Sequence, residues 1–282
     1  MRSVLPLADL DRLLDEDAPY GDLTTRALQF GSGPAQMQFS ARYDMRVCGS
    51  EEAAALLQRL GADVRIQACS GTAVAAGMPL LIADGDAAAL FIGWKLAQTL
   101  MEWASGIATA TARIVAAARA VAPGIVVACT RKTPPLTRKL SAKAVLAGDG
   151  GLHRLGLSDS LLLFPEHRRF LPSPDDFAAA VTQLRAAAPE RAVVIEVCNE
   201  DEALRAARAA PDVLQLEKFP PDAAARVVAR LRAEGLACLV AIAGGVNAGN
   251  AAAYAASGAA VLVSSAPYAA PPCDVAVDLR RA

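Results

Sequence analysis

From residue 124 onward, short apolar runs rich in β-branched residues recur at 125–129, 161–164, 192–197, 213–216, 238–243 and 260–263. Segments rich in Ala, Leu and Arg, with helical spacing, separate most of them. Strands that are apolar throughout are buried on both faces, and strands alternating with helices pair in parallel. The pattern predicts an α/β fold, an incomplete α/β barrel of about six units, with a doubly wound open sheet as the alternative. No GxGxxG turn follows the first run, which weakens a dinucleotide-binding reading.

The first third has a different rhythm. An amphipathic helix is predicted at 7–14, a strand-like stretch at 36–48, and a helix at 51–60 ended by Gly61. Strand-like pieces at 64–68 and 72–82 complete an N-terminal α+β sandwich. Residues 87–121 read as two helices interrupted at Ser105-Gly106. The predicted domains are 1–107 for the sandwich and 108–274 for the barrel, with the 275–282 tail packing on the sandwich.

Composition narrows the function classes. The 282 residues are 54% hydrophobic but only 5% aromatic, so the core is aliphatic, and the length suits one large barrel with a smaller companion. A net charge of −1 argues against binding nucleic acid or a membrane surface by bulk attraction, so any anion site must come from local clustering. Six scattered cysteines without a C-x-x-C pair read as reduced thiols. The first residues turn acidic before a signal-peptide apolar region can form, and no apolar run approaches a membrane span; the expected compartment is the cytoplasm.

Chemistry gathers where the runs end. In α/β barrels the C-terminal strand ends build the active site. Here they carry Thr130-Arg131-Lys132, Glu196, Glu217-Lys218, Gly244-Gly245 and Ser264-Ser265. Arg131 and Lys132 precede a Pro-Pro turn that fixes their direction, and with Arg138, Lys139 and Lys143 they form a cationic cluster suited to phosphate or carboxylate. Lys139 and Lys143 fit a solvated helix face equally well. Glu196 and Glu217 suit Mg²⁺ held together with phosphate oxygens, or stabilisation of a cationic sugar ring, or an ion pair with a nearby Arg or Lys. Gly244-Gly245 before Asn247, with Ser264-Ser265 one strand later, resembles the phosphate site on the last two units of many barrels. His153 follows a glycine-rich turn, and with only two histidines in the chain it belongs to no multi-histidine metal site.

These residues stand in a familiar order. Gly21-Asp22-Leu23-Thr24-Thr25, Ser105-Gly106-Ile107-Ala108-Thr109, Thr130-Arg131-Lys132-Thr133, His153-Arg154-x-Gly156-Leu157, Glu196 and Gly244-Gly245-Val246-Asn247 resemble the quinolinate phosphoribosyltransferases nearly end to end. Asp17-Ala18-Pro19-Tyr20, Glu102-Trp103-Ala104 and Lys143-Ala144-Val145-Leu146-Ala147-Gly148 are similar to its ModD branch, pyrophosphorylases of molybdate-transport operons. The resemblance implies a type II phosphoribosyltransferase fold and a homodimer with shared active sites. It implies a Mg²⁺-dependent transfer from phosphoribosyl pyrophosphate (PRPP), or a similar phosphosugar, to a small-molecule acceptor. It assigns Lys132 to PRPP phosphates, Glu196 and Glu217 to metal and ribose, and Gly244 and Gly245, with Asn247, Ser264 and Ser265 nearby, to the phosphate end. Arg131, His153 and Arg154, with Arg138 close in sequence, fall to the acceptor's acid group.

The departures from that family bear on the acceptor. Trp103 and Phe164 stand where the quinolinate enzymes carry an arginine and a lysine, Glu217-Lys218 replaces Asp-Asn, and Ala243 replaces a serine. Losing two cations points to an acceptor other than quinolinate. The rival readings are a non-catalytic phosphosugar- or anion-binding protein of a molybdate system, a quinolinate phosphoribosyltransferase after all, and a barrel lyase or aldolase using Lys132 or Lys218 as a Schiff base.

Overall fold

The computed structural model describes residues 1–29 and 32–282. They form two compact units, one of residues 1–112, 134–149 and 267–282, the other of 113–133 and 150–266. The chain begins in the first unit with α1 (Leu7–Asp17), α2 (Leu23–Leu28), β1 (Pro34–Ala41), β2 (Met45–Arg46), α3 (Ser50–Arg59), β3 (Asp63–Ile66), β4 (Ala73–Val74), β5 (Pro79–Asp86) and the greater part of α4 (Ala87–Arg119). β6 (Val126–Cys129) belongs to the second unit and α5 (Arg138–Ala147) to the first. The second unit then continues through β7 (Gly151–Leu152), β8 (Leu161–Leu163), α6 (Pro165–Arg168), α7 (Phe177–Ala187), β9 (Val193–Val197), α8 (Glu200–Arg208), β10 (Val213–Glu217), α9 (Pro221–Ala233), β11 (Leu239–Ala243), α10 (Ala251–Ala256) and β12 (Val261–Ser264). The last strand, β13 (Val275–Arg281), is part of the first unit.

The first unit holds a four-stranded sheet in the order β13-β1-β5-β3. On β1, Ala35, Met37, Phe39 and Ala41 are buried at every second position, the period of a strand with one face on a core. The core they join includes Leu56, Leu57, Leu80, Leu81, Leu90 and Met101. β13 pairs antiparallel with β1 from Ala35 opposite Arg281 to Ala41 opposite Val275. The stretch 36–48, read as one strand from sequence, divides into β1 and the two-residue β2, which pairs with β4.

Ser105-Gly106, expected to interrupt two helices, instead lies within the single 33-residue helix α4. Both residues serve close approach. The Ser105 hydroxyl accepts the Cys48 N–H at 2.9 Å, and one turn later Thr109 Oγ1 accepts that of Arg46 at 2.9 Å. A Cβ added to Gly106 would stand 2.4 Å from the Pro271 carbonyl oxygen. Glycine is required here by the neighbouring backbone, and the helix runs on because both its flanks are strong helix formers.

Lys143, which the sequence left between a solvated face and a functional role, is only 2% exposed in its side chain. Its ammonium lies 2.8 Å from Glu51 and 2.6 Å from Glu52, both at the start of α3. Burial pushes the Glu51 carboxyl up, but the hydrogen bonds from Lys143 and Ser70 outweigh it and hold it at about 2. Lys139, by contrast, makes an exposed pair with Asp9.

The second unit carries a seven-stranded sheet in the order β7-β6-β12-β11-β10-β9-β8, its pairs all parallel. All six apolar runs read from the sequence are strands in it, and the two-residue β7 adds a seventh. The last strand, β12, pairs with the first, β6, while the consecutive strands β7 and β8 are the two unpaired edges. The sheet is thus an incomplete barrel. Val193, Ile195, Val197, Leu214 and Leu216 bury their side of it among α7, α8 and α9 residues such as Phe177, Leu204 and Val227. Among the described residues, no helix is long and apolar enough to cross a membrane.

Gly106→Ala gives a clear test of the packing. Glycine to alanine inside an unobstructed helix stabilises by about 0.5–1 kcal/mol. Here the backbone carbonyl of Pro271 obstructs the new methyl, so urea unfolding should show a loss of about 1–3 kcal/mol. A gain in stability would contradict the close approach.

Candidate active site

The parallel ladder decides which side chains face into the incomplete barrel. Gln215 stands opposite Glu196 on β9 and Ala241 on β11, and Glu217 opposite Ala243, which is in turn opposite Val263. Because faces alternate along a strand, all of these share one side. Alanine and valine on that side leave the interior unfilled. A cavity of about 330 Å³ results at the C-terminal strand ends.

Its walls bring together most of the candidate residues: Arg131 and Lys132 after β6, His153 and Arg154 after β7, Phe164 after β8, Glu196 on β9, Glu217-Lys218 at the end of β10, Gly244-Gly245 after β11, and Ser265 after β12. Local hydrogen bonds set these turns. Thr130 extends the β6–β12 ladder through its N–H to the Ser264 carbonyl at 2.9 Å, and its hydroxyl accepts the Lys132 N–H at 3.2 Å. The His153 N–H donates to the Cys129 carbonyl at 2.9 Å, which seats the His-Arg pair directly at the end of β7.

The charges inside are largely unanswered. Arg154 is 7% exposed, yet among the described residues it makes no hydrogen bond or ion pair; its guanidinium carbon lies 5.6 Å from the centre of the Phe164 ring. Arg131, Lys132 and Lys218 likewise have no carboxylate within ion-pairing distance among the described residues, and neither Glu196 nor Glu217 has a cation there. The ion-pair reading of the two glutamates therefore falls. Glu196 is 9% exposed and accepts one hydrogen bond, from Gln215 Nε2 at 2.7 Å. Burial, together with the neighbouring Glu217 and Glu166, raises its carboxyl above the ordinary range against the lowering pull of Gln215 and Lys132. Burial and the adjacent Arg154 lower His153 against the raising pull of Gln215, which favours its neutral imidazole.

Gln215 was missed from the sequence, where it is one polar residue inside the run Val213-Leu214-Gln215-Leu216. That interruption of an apolar strand was the available signal. Gln215 is 4% exposed, and its amide oxygen is buried with no full hydrogen bond among the described residues, lying near His153 without good alignment. Glu196, Glu217 and this oxygen face one space, and two carboxylates completed by substrate phosphate are a donor set that suits Mg²⁺. No group of three or more His, Cys, Asp or Glu side chains capable of holding a metal occurs among the described residues, so phosphate oxygens are needed to complete such a site.

The turns after β10 and β11 interlock. Lys218 has φ +58°, and its N–H donates to the Ala243 carbonyl at 2.7 Å. Gly244 has φ +89°, and a Cβ there would meet Lys218 Cγ at 2.6 Å and Glu217 Oε1 at 3.0 Å. Gly244 gives Lys218 the room it occupies.

Other candidates lie elsewhere. Ser264 turns from the cavity to donate to the Val246 carbonyl at 2.6 Å, and Asn247 bonds the Gly245 carbonyl and the Gly249 N–H within its own turn. Trp103, on α4, and Arg138, at the start of α5, belong to the first unit and do not line the cavity. The Gly21-Asp22-Leu23-Thr24-Thr25 motif is also local. Asp22 caps α2 by accepting the N–H groups of Thr24 and Thr25, each at 3.1 Å.

Residues 107–278 match the C-terminal domain of quinolinate phosphoribosyl transferase, and residues 22–105 match its N-terminal domain. The chain belongs to this family. ModD of Rhodobacter capsulatus, named as a candidate pyrophosphorylase, is 52% identical over 240 residues, 85% of this chain and 92% of that protein. An Escherichia coli ModD is 40% identical over 278 residues, covering 99% and 98% of the two chains. The fold matches that of the nicotinate-nucleotide pyrophosphorylase from Francisella tularensis with a TM-score of 0.89 over 99% of this chain and 100% of that one, at 23% identity. The family's type II phosphoribosyltransferase architecture is therefore the architecture of this chain, and the cavity occupies the strand ends where α/β barrels carry their chemistry.

The raised Glu196 carboxyl has a consequence for stability. The folded chain holds that proton more tightly than the unfolded chain does. Stability therefore falls as pH rises from the ordinary carboxylate range through the raised value, and stays reduced above it. Glu196→Gln, which keeps an oxygen for Gln215, should raise the thermal midpoint at pH 7, with the gain vanishing below the ordinary carboxylate range. A gain independent of pH, or a loss at pH 7, would show that the buried charge is not the cause.

Proposed function

We propose that the protein is a Mg²⁺-dependent phosphoribosyltransferase, a pyrophosphorylase that transfers the phosphoribosyl group of PRPP to an acceptor other than quinolinate and works as a homodimer. The observation that carries this reading is the convergence of Arg131, Lys132, Arg154 and Lys218, none of them ion-paired among the described residues, around two carboxylates without a cation partner. Such a cavity suits a substrate that brings anionic phosphates and passes through a cationic sugar. The resemblance to the ModD branch supports an acceptor linked to molybdate metabolism.

In this reading an acceptor nitrogen donates its lone pair to C1′ of the ribose while the bond from C1′ to pyrophosphate breaks and pyrophosphate leaves with that electron pair. Glu196 and Glu217 face the positive charge that develops on the sugar, and in a water-poor cavity such fixed charges act strongly. Lys132 and Arg131 neutralise the departing phosphates. The turns at Gly244-Gly245 and Ser265 receive the 5′-phosphate. Neutral His153 offers a hydrogen bond to the acceptor, and Arg154 takes its acid group. Mg²⁺ bound by Glu196, Glu217 and phosphate oxygens would supply charge neutralisation for the leaving group.

Lys132→Glu inverts a charge that faces phosphate, where losing a paired group costs about 2–5 kcal/mol. Calorimetry with PRPP and Mg²⁺ should show affinity lowered by roughly thirtyfold or more; unchanged affinity would remove Lys132 from the site. Wild-type binding of PRPP without pyrophosphate release across an acceptor screen would favour a binding protein over an enzyme.

Quinolinate should turn over poorly or not at all. Its two carboxylates need cations for both, but Phe164 lines the cavity where the related enzymes have a lysine, and Trp103, which the proposed homodimer with shared sites would bring to the cavity from the partner subunit, replaces an arginine. A carboxylate buried without a partner loses about 3–5 kcal/mol. A pyrophosphate-release assay with millimolar quinolinate should show negligible wild-type activity and a gain in the Trp103→Arg/Phe164→Lys double variant. Robust wild-type turnover would overturn the acceptor assignment.

A further inference from the structure

A second cavity, of about 480 Å³, opens along the unpaired edge of β8. Leu161, Leu162 and Leu163 all line it. Successive strand side chains point to opposite faces, so three in a row can border one space only along the strand's edge. This is the edge that a closed barrel would pair. Leu157, Leu171 and Leu184 complete apolar walls, and size and character are those of a small-molecule pocket.

Two residues, Arg154 and Leu162, line both this cavity and the candidate active site. Arg154 is nine-tenths buried, and among the described residues no carboxylate pairs with it directly; Asp159 and Glu196 act on its charge only from beyond ion-pairing distance. The Ser160 hydroxyl, on the wall of the second cavity, is buried and without a partner among the described residues. A buried guanidinium between a polar cavity and an apolar one calls for a ligand with an acid group at the guanidinium and hydrocarbon beyond it.

We propose that the acceptor is an elongated amphiphile bearing one acid group, held by Arg154, whose apolar tail fills the leucine-lined cavity at the β8 edge. The proposal rests on Arg154 as the acceptor's anion contact and adds the class of molecule that binds there.

The test uses the full chain and straight-chain alkanoates from butanoate to octanoate, measured by calorimetry beside PRPP. Each buried methylene should tighten binding up to about fourfold, so octanoate should bind at least tenfold tighter than butanoate. Gln183→Trp and Ala187→Trp, both exposed residues on α7 that line the cavity, should abolish that gain while leaving butanoate and PRPP binding unchanged. Arg154→Met should weaken the whole series. Equal affinity along the series, or a gain that survives both tryptophans, would overturn the proposal and leave the β8 edge to a pairing strand. Failure of the wild type to bind PRPP would instead strike the transferase reading, independently of the alkanoate result.

Discussion

The constraint on which the barrel unit turns is a buried carboxylate with no cation beside it. Glu196 lies on a strand whose other residues are all apolar, and among the described residues the amide of Gln215 gives it its one hydrogen bond, with Lys132 acting on it only from a distance. Nearby guanidinium and ammonium groups stay apart from it. A protein that needed only to fold would replace such a group with an apolar residue or let it pair. In the proposed transfer the substrate would supply both signs between these separated charges, phosphates for the cations and a developing ribosyl cation for the carboxylates.

The turns around that cavity carry the same tension. Lys218 occupies a left-handed conformation that few side chains other than asparagine adopt readily. The neighbouring Gly244 leaves space for the lysine stem, and the Ala243 carbonyl holds its N–H. The local strain is retained at a residue that lines the cavity, as is common at functional positions. The first unit resolves its buried charges differently. Lys143 lies between Glu51 and Glu52 with every partner close, a satisfied network that holds α5 to the start of α3.

Much of this was legible in the residues themselves. Six of the seven barrel strands announced themselves as apolar runs, and their polar endings located the cavity, because a strand buried on both faces can place charge only where it leaves the sheet. Glu196, Glu217, Arg131, Lys132 and the two glycines were found that way. Other features depended on partners far away in the chain. Ser105-Gly106 reads as a helix break, since the Pro271 carbonyl that demands glycine lies 165 positions later. Lys143 reads equally as a solvated or a functional lysine, and its structural role stays hidden because its two glutamates lie more than ninety residues earlier.

The sequence by itself determined the parallel α/β class, the family and the set of charges at the strand ends, because these follow from local periodicity and from motifs in fixed order. Tertiary structure alone decided how those charges are used. Strand register set Gln215 opposite Glu196. The turn geometry sent Ser264 and Asn247 into backbone contacts and left Ser265 facing the cavity. The unpaired edge of β8 set a leucine-lined space beside Arg154. Register, turn direction and unpaired edges arise from pairing between distant segments, and a one-dimensional pattern carries the faces of each strand but not the neighbours those faces meet.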